Sequence, residues 1–236
     1  MRRRLLTVAF SVVALNLALI VPRLSAQDDI FVTPIPNAPF SAVIQVERSV
    51  IRQDGTASNL KTTRAIHRDS HGRIYNEYRN LLPASASGTP QVTSILLYDP
   101  QTRNSTTLLP QQHTFRSGTT RRPPATTPPV FASNGPQNAF TREEDLGVKQ
   151  MQGVSAHGLR HTQTIPAASG GPGKDIVVTD EYWYSEDLRI NVLLKHDDSR
   201  TGSVVLTVTQ IDRTEPNASL FQIPDGYRGP AAPHND

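Results

Sequence analysis

Two stretches of the 236-residue chain place side chains at spacings that invite chemistry. In His157-Gly-Leu-Arg-His161 two imidazoles stand four residues apart, a spacing that chelates a metal on a helix. This run contains glycine and reads as a strand, where a rise of ~3.3 Å per residue separates the pair by ~13 Å. One ion cannot bridge that gap, so no metal site is expected. Gly153-Val-Ser155-Ala-His157 has the start of a nucleophile elbow, but it lacks the final glycine and the strand–turn–helix setting. Hydrolysis therefore ranks third among the functional readings. Glu143-Glu-Asp145 and Asp197-Asp198 match no calcium loop and read as solvated turns. The chain has no cysteine, which excludes disulfides, thiolate catalysis and cysteine-ligated metals. No glycine-rich phosphate loop is present, and no cofactor is expected.

The most distinctive residues are aromatic and aliphatic. Glu181-Tyr-Trp-Tyr-Ser185 holds the only tryptophan and two of the six tyrosines. Strand alternation sends Trp183 to one face and Tyr182 and Tyr184 to the other. Core packing accounts for these rings; a ligand groove on one face is the sharper alternative. Two apolar stripes follow: Ile190, Val192 and Leu194, then Val204, Leu206 and Val208. Opposed residues share a face, so alignment of the stripes demands pairs whose numbers sum to an even value. That requires an odd-length loop between them, with Gly202 as the left-handed position.

These residues need elements to hold them, and the period is that of strands. Phe40, Ala42, Ile44, Val46 and Val50 alternate on one face. Leu60–Arg68, Arg73–Arg79, Val92–Tyr98 and Arg103–Leu109 continue the pattern, with His113–Arg116 a weaker candidate, separated by turn signals such as Asp54-Gly55 and Asp69-Ser-His-Gly72. Strands resume from Leu146, and Asp175–Tyr184, Arg189–Asp197 and Ser203–Arg213 are the strongest. After them, Pro216 suits the first position of a short helix that Pro224 ends, with Leu220, Phe221 and Ile223 docking it on the sheet. No sustained helical period appears elsewhere after residue 26. Residues 117–139 are Pro/Thr-rich and carry little apolar surface, so a disordered insertion is expected there.

Residues 1–26 read as a signal peptide: Arg2–Arg4, an apolar stretch Leu5–Val21, and Leu24-Ser-Ala26 before Gln27. The alternative is an uncleaved anchor in the inner membrane. Residues 27–236 then form one exported domain, periplasmic or secreted, touching membrane only through the signal or transiently. The net charge of +3 sits in the leader. Removing its four arginines from the 24 basic residues leaves 20 against 21 acidic ones. Such a balance argues against nucleic acid as a partner.

Glu181-Tyr-Trp-Tyr-Ser-Glu-Asp-Leu188, Lys195-His-Asp-Asp-Ser-Arg-Thr-Gly202 and Arg213-Thr-Glu-Pro-Asn-Ala-Ser-Leu-Phe-Gln-Ile-Pro224 resemble uncharacterised exported proteins of acidobacterial type. His67-Arg-Asp-Ser-His-Gly-Arg73 and Leu97-Tyr-Asp-Pro100 fit the same pattern. More distantly the chain is similar to the LolA-like lipoprotein carriers and RseB-type regulators. That resemblance implies an unclosed, curved antiparallel sheet whose concave face holds acyl chains. The expected fold is all-β, a meander of nine to eleven strands curled into a half-barrel with at most short helices. The expected function is non-enzymatic binding of a lipid or lipoprotein acyl chain. Trp183, Ile190, Val192, Leu194, Val204, Leu206 and Val208 are the candidate ligand residues. The alternative is a structural or protein-interaction module of the cell envelope.

Overall fold

The computed structural model describes residues 29–121, 140–167 and 173–230. The expected signal peptide, the expected insertion from residue 122 onward and most of the Ser169–Gly173 turn lie outside the described residues. The described residues form one antiparallel, curved and unclosed sheet of twelve strands. In chain order these are β1 Phe40–Ile51, β2 Ala57–Arg68, β3 Ile74–Arg79, β4 Leu82–Pro83, β5 Val92–Asp99, β6 Asn104–Leu109, β7 Thr114–Thr119, β8 Thr141–Met151, β9 Val154–Ile165, β10 Ile176–Ser185, β11 Ile190–Asp198 and β12 Gly202–Asp212. Their order across the sheet is β7-β6-β5-β3-β2-β1-β12-β11-β10-β9-β8, with the two-residue β4 beside β2. Two meanders are thus joined where the first strand pairs with the last, and β7 and β8 are the outer edges. The insertion expected at 117–139 starts inside β7, which keeps its ladder to β6 through Thr119. β8 begins at Thr141, five residues before the Leu146 start read from the sequence.

The β11–β12 hairpin has the expected register. Leu194 faces Leu206 and Asp198 faces Gly202, leaving a three-residue loop. Gly202 takes φ +107°, and an added Cβ would run into the Ser49 carbonyl of β1. Bulges bend the sheet. β12 carries one extra residue opposite Val43/Ile44, β11 one opposite Trp183/Tyr184, and β8 one opposite β9 near Gly147.

Two segments outside the ladder cover its faces. Residues 29–33 form a strap. At one end the Asp29 carboxylate bonds Arg64 of β2 and accepts from Tyr78 Oη of β3 at 2.7 Å. At the other, Thr33 N donates to Arg189 O and Asn191 N to Phe31 O, both at 3.0 Å, beside β11. β2 and β11 are separated by β1 and β12, so the strap crosses one face, here the inner face. Arg68 fastens it. This guanidinium is fully buried and donates to three carbonyls: Ala38, Thr33 and Leu188, at 2.7 to 2.8 Å. It also lies 4.9 Å from the Phe40 ring centroid.

The C-terminal segment covers part of the outer face. A 3-10 turn, Ala218–Phe221, is capped by Asn217, whose side chain accepts from Ser219 N. Leu220, Phe221 and Tyr227 pack on Tyr75, Leu97 and Leu108. Docking by Leu220 and Phe221 matches the sequence reading. Ile223 does not follow; it is 39% exposed, because Gln222 leaves the turn in extended conformation. Pro216 lies just before the cap and not in the helix itself.

Candidate functional site

Strand register builds the inner face row by row. Leu159, Tyr182, Leu194, Leu206, Val46 and Thr62 stand directly opposite one another on β9, β10, β11, β12, β1 and β2. On the strap side the next row holds Val208 and Ile44. This forms an apolar belt across the middle of the sheet. Each fully buried aliphatic side chain in it contributes about 1.5–3 kcal/mol.

The belt is polar on its far side. The row beyond it reads Glu143, His161, Asp180, His196, Val204, Arg48 and Leu60, again in direct register. His196 Nδ1 meets Asp180 Oδ1 at 2.7 Å. Arg48 is half-buried and forms no ion pair with any described residue. Thr62 is 4% exposed, and its Oγ1 has no hydrogen-bond partner among the described residues.

The outer face at the same level is a charge ladder. Glu144, Arg160, Glu181 and Lys195 alternate across β8 to β11. Arg160 bonds Glu144 at 3.2 Å and Glu181 at 2.9 Å, and Lys195 lies 3.4 Å from Glu181. Trp183 Nε1 donates to Glu181 Oε1 at 2.8 Å, and Lys149 Nζ lies 4.6 Å from the indole centroid. Burial alone raises the Glu181 carboxyl. Hydrogen bonds from Trp183 and Arg160, with the Lys195 ammonium, outweigh it and hold the group below the usual carboxylate range. The indole lies flat on Gly158 of β9, where a Cβ would come within 2.8 Å of three ring carbons.

All seven residues singled out from the sequence are buried, between 0% and 5% exposed, and belong to one cluster. The structure brings Leu194, Val204, Leu206 and Val208 together on the inner face. Trp183 faces the other way: it pairs with Leu193 and Gly158, whereas Leu194 pairs with Tyr182. The bulge in β11 also breaks the stripe read from the sequence. Ile190 lies opposite Ser185, on the parity of Trp183, and Val192 is the extra residue between the Trp183 and Tyr184 pairs. His157 and His161 share β9; His157 Nε2 bonds Asp145 at 2.8 Å. Ser155 is an exposed residue of the same strand, with no turn into a helix after it.

Sequence reasoning missed the strap, Arg48 and Thr62. Arg48 and Thr62 sit on the inner faces of β1 and β2, and the parity of Ile44 and Val46 was the available signal. Clefts open beside β1 and β2. One of about 400 Å³ is lined by Gln45, Lys61, Thr62, Leu82, Ser87 and Pro90. Another of about 300 Å³ is lined by Glu47, Arg48, Asn59, Ala84 and Val205. Among the described residues no helix is long and apolar enough to cross a membrane.

No protein-family model matches the chain, and a search of curated proteins finds no match. Solved structures do match. An uncharacterized conserved protein from Thermus thermophilus is 10% identical with a TM-score of 0.40, over 81% of this chain and 89% of that one. MucB, in the Pseudomonas aeruginosa MucA/MucB complex, is 15% identical with a TM-score of 0.39; the match covers 79% of this chain and 56% of that one. A LolA superfamily protein from Nitrosomonas europaea is 8% identical with a TM-score of 0.32, over 80% and 91%. These are loose likenesses, and the architecture rests on this chain's own strand pairing.

Proposed function

We propose that this chain is a non-enzymatic exported binding protein that holds an acyl chain along the inner apolar belt. The observation that carries the reading is the belt itself. Leu159, Tyr182, Leu194, Leu206 and Val46 line one row over five neighbouring strands. Four strand spacings of ~4.8 Å make that row ~19 Å long, the scale of an extended acyl chain. A strap tied by side-chain hydrogen bonds at Asp29 and Arg68 and by two backbone bonds to Arg189 and Asn191 crosses beside it. In this reading the loaded state has the strap displaced. The acidobacterial and LolA-like resemblance, an envelope location and a lipoprotein or envelope-protein partner belong to the same proposal.

One observation favours a second reading. Leu194, Val204, Leu206 and Val208 are at most 5% exposed, which suits a filled core in an envelope interaction module. Leu194→Glu separates the two. Loss of fluorescent fatty-acid binding with intact circular dichroism supports the carrier. Loss of the fold, from a buried unpaired carboxylate, supports the module. Trp183 is no reporter of inner-face occupancy, because it is turned outward, so the fluorophore must be on the ligand.

A further inference from the structure

Resting on the carrier reading, we infer that the belt takes a fatty acid with its carboxylate held by Arg48 and Thr62. The strand register carries this. Arg48 stands opposite Leu60 on β2, and Thr62 is two residues further along the same strand on the same face. The two therefore occupy diagonal positions, within reach of one small anion. Thr62 Oγ1 is a buried donor with no partner among the described residues, an arrangement that costs stability unless something else accepts its proton. Arg48 has no carboxylate within ion-pair distance among the described residues. Along its row His196 is bonded to Asp180, while His161 and Glu143 lie on the distant strands β9 and β8.

Arg48 thus offers one guanidinium without a carboxylate partner among the described residues, one row beyond Val46 and Thr62, and a singly charged head group matches it. The chain of the ligand would run from Val46 over Leu206 and Leu194 to Tyr182. The carboxylate would take a charge-assisted bond from the guanidinium and a second from the Thr62 hydroxyl.

Calorimetric titration of the purified protein with dodecanoate, dodecanol and dodecyl phosphate, each below its aggregation concentration, tests the assignment. Wild type should bind dodecanoate about ten-fold or more tighter than dodecanol, the scale of one charge-assisted bond. Arg48→Gln should abolish that preference and leave dodecanol affinity unchanged. Thr62→Val should weaken dodecanoate several-fold and not dodecanol. Equal affinity for acid and alcohol in the wild type, or a preference that survives Arg48→Gln, overturns the headgroup site while leaving the carrier reading intact. Tighter binding of dodecyl phosphate than of dodecanoate overturns the carboxylate assignment. Failure to bind any of the three overturns the carrier reading, and this site with it.

Discussion

Arg68→Ala removes three hydrogen bonds at once and strands the carbonyls of Ala38, Thr33 and Leu188 inside the protein. The expected cost is about 3 kcal/mol or more, read as a lower urea midpoint with unchanged slope. Arg68→Lys should recover only part of it, since one ammonium cannot reproduce a planar fork. Burial already lowers the Arg68 pKa to about 10, opposed by Tyr184, so the fold tolerates this cation at a price in solvation. Glu181 is the acid-sensitive counterpart. Its pKa is depressed in the folded state, so its contribution is present above the ordinary carboxylate value near 4.5 and is lost as pH falls through the folded one. Glu181→Gln should therefore be less stable than wild type at pH 7, and the gap should narrow on acidification below about pH 4.5; a constant gap in urea midpoint from pH 7 to 3 would contradict the ladder. Gly158→Ala should push the indole off β9, with a red-shifted emission and a loss of about 1–3 kcal/mol from overpacking. Neither Arg68 nor Gly158 stands out in the sequence. An arginine ending a polar, Thr-rich strand reads as solvated, and a strand glycine reads as a break until the ring above it is seen.

At the scale of elements, the β11–β12 hairpin was legible because two apolar stripes and one glycine demand a single register. Gly202→Ala tests the same geometry from outside: the left-handed φ and the clash with Ser49 should both act. The expected loss is about 2 kcal/mol or more, with amide exchange rising first at the β11–β12 end next to Ser49. Exchange that rises equally over all strands would mean that the hairpin is not locally weakened. The bulge in β11 was not legible, since it adds a residue without changing the apolar count, and it turns Ile190 away from Leu194. Nor was the strap. Asp29-Ile-Phe-Val-Thr33 is a short run without a strand-length alternation of its own. Its partners lie 35 to 160 residues away in the chain, at Arg64, Arg189 and Asn191. No local signal encodes a crossing of that length.

The whole molecule is two meanders joined along β1 and β12, with a polar ladder outside and an apolar belt inside. Its all-β class and meander order were readable from period-two patterning and turn residues, and the curved sheet was implied by the LolA-like resemblance. The closing pair, β1 with β12, was not, because pairing between chain ends leaves no mark on either strand. The central claim is that the inner belt carries an acyl ligand, and native mass spectrometry of the detergent-free protein, purified from its source envelope fraction, tests it most directly. The account predicts a single adduct of acyl-lipid mass per chain, released by organic extraction and identified as an acyl compound in the extract. A chain that flies only at its bare polypeptide mass, and still shows no adduct after incubation with excess dodecanoate, would contradict it and leave a filled-core interaction module in its place.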